Sequence, residues 1–313
     1  MSQKKLIIVM YHHVRRKNET FFPKLKSVNL KLFNKQINYL KKKYKILNIN
    51  EFRDFIKNKK KLSKDSCIIT FDDGYKNHFE NVFPILKKKG IQGFFFPPSK
   101  AILSNTLMDS NKAQLLLASC NDTKLLNREL ELLFNLHDVK KLINTTYEKL
   151  KKKYKKPFGY DDAETILFKR LIQIAIPQKI RSVILNKLIK KFINVDEKIL
   201  SKNLYLSIPQ IKKMIKAGMV FGNHGHNHSW LGENSERHQK DEIKKGLDFL
   251  KLIGMGTKEW IMCYPYGSYN KKTLKILKKK KCLVAFTTVN REYSNTDTRF
   301  EIPRIDCNNI FNY

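Results

Sequence analysis

The chain has 313 residues, 42% of them hydrophobic, which is enough apolar material for one large α/β domain or two smaller ones. Lys and Arg number 63 against 28 Asp and Glu, so the formal net charge is +35. We nevertheless expect no nucleic-acid partner, because the sequence has neither a zinc-finger pattern nor the aromatic pattern of an RNA-recognition sheet. Much of the excess is Lys in short runs at predicted helix ends, and a compositional bias that places Lys on solvated faces accounts for it first. Peripheral association with an anionic membrane or glycan is the alternative.

The cysteines and the hydropathy pattern indicate a cellular compartment. The five cysteines are scattered and form no Cys-x-x-Cys pair, which argues against a disulfide framework or a structural zinc site. The first apolar run has only six residues, too few for a signal peptide, and no later run approaches the ~20 residues that cross a bilayer. We therefore expect a cytoplasmic protein with reduced thiols. Nothing in the sequence predicts its oligomeric state.

In chain order, the first hundred residues alternate short apolar runs with helical patterns, as βα units do. Residues 5–13 predict a strand, and residues 29–44 predict a helix with Asn29 as its N-cap. A second strand, residues 66–74, ends at two aspartates and a glycine. A helix closed by Gly90 follows, and then the run "GFFFPP", whose uninterrupted apolar character predicts a strand buried in a barrel.

From about residue 99 to residue 206 the sequence has helical periodicity and few runs that suggest strands, which predicts a large α-helical insertion. The βα alternation then resumes with a helix that Ser207 caps and Gly218 closes. Next come a strand that runs into "GNHGHNH", a helix, a strand ending in "YPYG", another helix and a last strand, "CLVAFTTV".

Two adjacent aspartates, Asp72 and Asp73, follow the second strand in the motif "TFDDG". Asp-Asp-Gly is also common in ordinary turns, so the motif alone is weak evidence for a site. However, a loop that begins at a strand end can direct both carboxylates into one cleft. A hydrolytic metal site needs one such carboxylate as a ligand and another as a general base.

Three histidines, His224, His226 and His228, occupy alternate positions in "GNHGHNHSWL". On a strand all three would share a face, and on a helix only the outer two would, so the spacing leaves the number of ligands open. Three imidazoles among Gly and Asn after an apolar strand favour metal binding. Neutral imidazoles from this group with one carboxylate would make the three-ligand arrangement of a catalytic divalent ion, most often Zn²⁺, in which an open position holds water.

Three motifs resemble, in order, the first three motifs of the polysaccharide deacetylases, the NodB homology domain of carbohydrate esterase family 4. They are "TFDDG" at 70–74, the H-x-x-x-H of residues 224–228 and "YPYG" at 264–267, and the opening "VMYHHV" is similar to the start of many members. The resemblance implies an α/β fold, a distorted (β/α) barrel of the NodB type. We therefore assign residues 1–98 and 207–313 to the two parts of this barrel, and residues 99–206 to the α-helical insertion.

The resemblance also implies a metal-dependent hydrolase that removes the N-acetyl group of an amino sugar in a glycan or glycan precursor, as in surface polysaccharide biosynthesis. It carries Asp73, His224 and His228 over as metal ligands, which leaves His226 as a bystander. Asp72 then matches the base that deprotonates the attacking water.

The third motif and its surroundings would contact the substrate. The resemblance implies that the backbone N–H of Tyr266 stabilises the oxyanion. Pro265 and Tyr266 are therefore expected at the substrate, and Trp230, just after the last histidine, is a further candidate for a sugar contact.

The sequence departs from the family pattern at two places. Cys263 stands where the third motif commonly begins with an Arg that orients the base, and the late Leu-x-His motif that supplies the general acid has no counterpart. Arg304, in "IPRID", is a candidate replacement because its planar fork suits a carboxylate. His12, at the end of the first strand, is the candidate acid, and it is preferred to His13, which would point the other way.

Two other functions fit the same residues. One is hydrolysis of a non-sugar amide or imide, and the other is a non-catalytic role in binding carbohydrate or a protein partner. An intact set of two aspartates and two histidines favours catalysis over the second. The remaining helical histidines, His78, His137 and His238, are predicted to lie on the surface.

Overall fold

The computed structural model describes residues 4–136, 138–158 and 161–313. It divides into two compact units. The first unit contains the segment that ends at Lys17 together with Ser27–Thr106 and Ser201–Tyr313, and the second contains Asn18–Lys26 and Leu107–Leu200. The three-part division at residues 98 and 206 stays a prediction.

Strands and helices alternate as the sequence predicts. The strands are β1 (Leu6–Tyr11), β2 (Val14–Arg15), β3 (Val28–Asn29), β4 (Lys45–Ile46), β5 (Ser66–Asp72), β6 (Phe94–Phe96), β7 (Val220–Phe221), β8 (Ile261–Cys263), β9 (Val284–Phe286) and β10 (Ile305–Asp306). The helices are α1 (Leu30–Lys43), α2 (Ile49–Ile56), α3 (Phe83–Lys88), α4 (Ser99–Ser104), α5 (Asp109–Ser119), α6 (Thr123–Leu136), α7 (Val139–Ile143), α8 (Tyr147–Tyr154), α9 (Ala163–Arg170), α10 (Gln178–Phe192), α11 (Glu197–Leu204), α12 (Ile208–Lys216), α13 (Glu236–Leu252) and α14 (Lys271–Lys279).

The first unit is a distorted parallel (β/α) barrel, as predicted. Its main sheet has the order β10-β1-β5-β6-β7, with β4 paired to β5 and every pairing parallel. A parallel bridge from Asn223 to Met262 joins β7 to the β8–β9 pair, and another from Phe286 to Ile302 leads back toward β10. Because the strands are parallel, their carboxyl ends meet at one edge of the barrel, where catalytic residues usually lie in such folds.

The strands are apolar on both faces, which explains their uninterrupted hydrophobic runs. Leu6 and Ile8 of β1 and Phe94 and Phe96 of β6 enter one apolar cluster with Phe52 of α2. The intervening residues of these strands are also fully buried. Local caps agree with the predictions, since the side chain of Asn29 accepts from a backbone N–H in the first turn of α1, and Ser207 caps α12.

His78 is a correction to the sequence analysis. It was predicted on the surface but is fully buried, with Nε2 2.8 Å from the carbonyl oxygen of His12 and its ring against Phe71. His78 begins a short π-helical turn, His78–Val82, in which its side chain is buried. The helical sequence pattern predicts a helix here but does not indicate which of its residues are buried. His238 is half-buried, and His137 lies outside the described residues.

The second unit is helical, as the helical periodicity of its sequence predicts. In it α5 packs against α10 and α6 packs against α9 around a leucine-rich core. Arg181 pairs with Asp109 at 2.8 Å and so ties α10 to the first turn of α5. Across the described ranges, no helix combines the length and the apolar character that a bilayer crossing requires.

Candidate metal centre and active site

The two aspartates lie at the carboxyl end of β5, where the chain turns sharply. Asp72 is the last residue of the strand, and Asp73 adopts a left-handed conformation with φ 70°. Gly74 follows with φ 65°, and a Cβ there would meet Cβ of Pro97 at 2.4 Å, so only glycine fits. The turn gives the two carboxylates different surroundings, although they are adjacent in sequence and both buried.

Asp73 faces two of the three alternate histidines. Its Oδ1 lies 3.2 Å from Nε2 of His228 and 3.5 Å from Nε2 of His224. One donor atom from each of these three residues lies within 4.8 Å of the other two. His226 is not in this group, because its Nδ1 is 2.8 Å from the hydroxyl of Ser99.

Neighbouring groups fix the orientation of these donors. The Tyr75 hydroxyl donates to Oδ2 of Asp73 at 2.6 Å, which leaves Oδ1 toward the imidazoles. Nδ1 of His224 lies 2.8 Å from the carbonyl oxygen of Cys263, and a carbonyl only accepts, so Nδ1 carries the proton. Nε2 of His224 is then the nitrogen left to bind a metal ion.

Two imidazole nitrogens and one carboxylate oxygen, buried and facing one another, fit a divalent cation of the Zn²⁺ type. Burial would raise the pKa of Asp73, but hydrogen bonds with both imidazoles hold it well below its usual value. Burial lowers the pKa of His228. Burial also acts to lower the pKa of His224, but its neighbours Cys263 and Asp73 raise it overall, so metal binding would displace a proton there.

Asp72 is paired with an arginine from the other end of the chain. Arg304 donates from both terminal nitrogens to the two carboxylate oxygens, at 2.9 and 2.7 Å, in a bidentate arrangement. Its Nε donates to the carbonyl of Thr287, and its Nη1 lies 3.2 Å from the hydroxyl of Thr70. Burial would raise the pKa of Asp72, but the guanidinium more than offsets this and lowers it to about 2.

The predicted contact between Arg304 and Asp72 is thus present, and Cys263 stands beside it. The thiol of Cys263 donates to Oδ2 of Asp72 at 3.4 Å, and burial raises the pKa of this thiol. Asp72, His224 and Cys263 also place three donor atoms within 4.8 Å of one another. This set suits a cation less well, because Asp72 already neutralises the guanidinium.

His12 approaches the same carboxylate from the solvent side. Its Nε2 lies 4.0 Å from Oδ2 of Asp72, beyond hydrogen-bond distance, and its side chain is 44% exposed. His13 is buried instead, with its ring stacked on Tyr75 at 3.5 Å between centroids. The structure therefore places His12, and not His13, beside Asp72, as the sequence analysis preferred.

The third motif forms a short turn, Pro265–Gly267, next to the histidines. Tyr266 is left-handed in this turn, with φ 57°. Its ring stacks on Trp230 with 4.6 Å between centroids and 9° between planes, and it meets the His228 ring edge-on at 4.6 Å. Trp230, Tyr266 and His228 therefore form one continuous aromatic cluster at the candidate metal centre. Pro265, in the same turn, is buried.

Sequence reasoning missed two residues of this site. Tyr75 was detectable in principle, since it follows Asp73 by two residues and has a hydroxyl. Glu242 was not, because it lies in the charged run "QKDEIKK" of a helix and nothing local marks it as buried. It is nevertheless 0% exposed, and it accepts from the backbone N–H groups of His226 and Asn227.

The profile of the polysaccharide deacetylase family matches residues 59–127 and 189–284, more than half of the chain. YxkH of Bacillus subtilis, named as a candidate polysaccharide deacetylase, is 33% identical over 99 residues, and the match spans 31% of this chain and only 33% of that protein.

Two solved structures are similar over nearly the whole chain. The Streptococcus pyogenes deacetylase PplD in complex with acetate is 18% identical, with a TM-score of 0.58 over 97% of this chain and 93% of its own. IcaB from Ammonifex degensii is 17% identical, with a TM-score of 0.60 over 98% and 94%. At these identities the likeness shows the fold alone, and that fold is the NodB-type barrel expected from the motifs.

Proposed function

Because this chain belongs to the polysaccharide deacetylase family of carbon–nitrogen hydrolases, we propose that it is a metal-dependent deacetylase that removes the N-acetyl group of an amino sugar. One observation carries the proposal. Two adjacent buried carboxylates have different partners, since Asp73 faces two imidazoles and Asp72 faces a guanidinium. Such a pair provides a ligand and a separate ionised base within one site.

In this proposal Asp73, His224 and His228 hold the divalent cation, with Zn²⁺ as the expected metal from the donor types. Such a cation supplies Lewis-acid polarisation of the acetamide carbonyl and makes water more acidic. The protein contributes buried, preoriented donors, because Tyr75 fixes the carboxylate and the carbonyl of Cys263 fixes the His224 tautomer.

Asp72 is the general base in this mechanism. With a pKa of about 2 it is ionised at any physiological pH, and it can accept a proton from the attacking water. Arg304 holds both oxygens, so the carboxylate cannot rotate away from the reacting atoms. Arg304 is therefore a positioning residue and Asp72 a catalytic one.

His12 is the proposed general acid. An amine is a poor leaving group unless it is protonated, so the reaction needs a proton donor on the open side of the site. His12 is half-exposed and 4.0 Å from Asp72, a position from which it can protonate the departing nitrogen. The Tyr266 N–H is the proposed oxyanion donor, and the rings of Tyr266 and Trp230 are the proposed contact for the sugar.

The proposed substrate is an N-acetylated amino sugar in a glycan or a glycan precursor, and the net charge of +35 favours an anionic one. Acetate release from a panel of N-acetylated oligosaccharides, nucleotide-linked sugars and lipid-linked sugars tests this, with and without a chelator. We expect release that the chelator abolishes and added Zn²⁺ restores. Release that the chelator does not affect, or release from non-sugar amides only, would contradict the proposal.

A further inference from the structure

The loop between the two proposed metal ligands is held by one buried acid on another element. Glu242, on α13, is 0% exposed. Its Oε2 accepts from the backbone N–H of His226 at 3.0 Å and of Asn227 at 2.8 Å, and its Oε1 accepts from Nδ2 of Asn227 at 2.5 Å. A single carboxylate thus fixes two successive residues that lie between His224 and His228.

The charge of Glu242 is compensated mainly by this loop. Within the part of the chain that the structure describes, the basic side chain in ion-pair range is that of His238, which is half-buried and has Nε2 3.8 Å from Oε1 of Glu242. A buried carboxylate without a close Lys or Arg depends on hydrogen-bond donors to offset its desolvation. The N–H groups of the loop supply them, so the carboxylate and this loop conformation stabilise each other.

Close packing holds α13 in place against the loop. A Cβ on Gly246 would lie 2.1 Å from Oδ1 of Asn223, so that position requires glycine. Gly225 has φ 73°, which favours glycine, and a Cβ there would approach Oε2 of Glu242 to 3.1 Å. Nδ2 of Asn223 also donates to the carbonyl of Ile243, next to Glu242. The helix therefore meets the strand end just before His224 at two successive turns.

We propose that Glu242 is a positioning residue that sets the metal affinity of the centre by holding the spacing of His224 and His228. This inference rests on the proposed function, because it assumes that these two histidines bind a cation. Two ligands four residues apart in a loop have no helix to fix their separation, and outer-shell hydrogen bonds must do so instead. Glu242 supplies three of them.

The test measures Zn²⁺ binding to chelator-stripped protein by titration against a competing chelator, without substrate. We expect Glu242→Ala to weaken Zn²⁺ binding by about 10- to 100-fold, the range for outer-shell partners of metal ligands. Glu242→Gln should be intermediate, because one amide oxygen can still accept from both backbone N–H groups while the Asn227 amide rotates to pair with the new NH₂.

The matched control is Asp241→Asn, which removes the same charge from the adjacent position of α13. Asp241 pairs with Lys245 at 2.7 Å and is half-exposed, so this change should leave Zn²⁺ affinity within about twofold. An equal loss in Asp241→Asn and Glu242→Gln would show a bulk charge effect and overturn the inference. Unchanged Zn²⁺ affinity in folded Glu242→Gln and Glu242→Ala would overturn it as well.

Two further measurements separate positioning from folding. The visible spectrum of the Co²⁺-loaded protein should change in Glu242→Gln even where its melting temperature matches the parent, because ligand geometry differs. If Glu242→Ala does not fold, Asn227→Ala removes one of the three bonds from the loop side and should weaken Zn²⁺ binding by a smaller factor than the 10- to 100-fold expected when all three are lost, and unchanged affinity would overturn the inference. Parent protein that binds Zn²⁺ no better than Asp73→Ala would instead contradict the proposed function itself.

Discussion

Asp73 and Asp72 lie in one turn of the chain but have different surroundings. We call Asp73 with its two histidines the proposed metal side of the site, and Asp72 with Arg304 the proposed base side. Asp73 meets two imidazoles and a phenol, groups that leave room for a cation. Asp72 meets a guanidinium that already neutralises it. Adjacent positions in one motif therefore acquire different chemistry from partners far away in the sequence, and the left-handed turn at Asp73 makes this separation possible.

The sides also differ in how their partners are supplied. The metal side draws its histidines from one short loop after β7, held by α13. Asp72 pairs with Arg304 from just before β10, although Cys263, the last residue of β8, occupies the expected arginine position. Because β1 lies between β5 and β10 in the sheet, a long side chain from the β10 segment can cross to the end of β5. The guanidinium that pairs with the base therefore comes from the β10 segment in this chain, and not from the position in β8 that the family pattern predicts.

Substitution of a proposed metal ligand should have the largest effect on activity. Asp73→Ala removes one of three donors, and we expect both bound Zn²⁺ and deacetylation to fall to background. Metal content by elemental analysis and acetate release from the same preparation check this. His226→Ala is the matched control from the same loop, and metal loss there would mean that the bystander assignment is wrong.

Substitution of the proposed base should abolish most of the activity and leave the metal bound. Asp72→Asn keeps the shape of the side chain but cannot accept a proton, so kcat should fall by about 10²- to 10⁴-fold with full Zn²⁺ content. Single-turnover acetate release on metal-loaded protein measures it. Coincident loss of metal and activity would remove the distinction between the two carboxylates.

His12 should matter less, because it acts at the leaving group. His12→Ala should lower kcat by about 10²-fold and change KM little, since the imidazole is half-exposed and makes no hydrogen bond to Asp72. Steady-state kinetics separate the two constants. A normal kcat would exclude His12 as the acid, and recovery of the rate by added imidazole would support the assignment.

The barrel fold and the motifs at the strand ends could be predicted from the sequence because the patterns that indicate them are local. Apolar runs, N-caps such as Asn29 and motifs at strand ends follow from neighbours in the chain. The burial of His78, the support from Glu242 and the membership of residues 18–26 in the second unit depend instead on contacts between distant segments. Arg304 was reached only because the family resemblance implies an arginine that orients the base and the expected position held a cysteine.

Arg304→Lys should have the smallest effect on rate and the clearest effect on pH dependence. A single ammonium cannot reproduce the bidentate pair, and losing one charged hydrogen bond costs about 1.5–3 kcal/mol, or roughly tenfold or more in rate at neutral pH. With weaker compensation, burial should raise the pKa of Asp72 from about 2, so the acid limb of the rate profile should move to higher pH.

The pH dependence of the melting temperature should show the same weakening of the Asp72–Arg304 pair. The depressed pKa of Asp72 stabilises the folded parent above the unfolded pKa near 4 and loses this effect as pH falls through about 2. Arg304→Lys should therefore have a lower melting temperature than the parent at pH 7, and the difference should shrink toward pH 2. Arg291→Lys, at the exposed ion pair with Asp297, is the control for an Arg-to-Lys exchange away from Asp72. A melting-temperature difference that stays constant from pH 7 to pH 2 would mean that Arg304 acts through packing and does not hold the charge of Asp72.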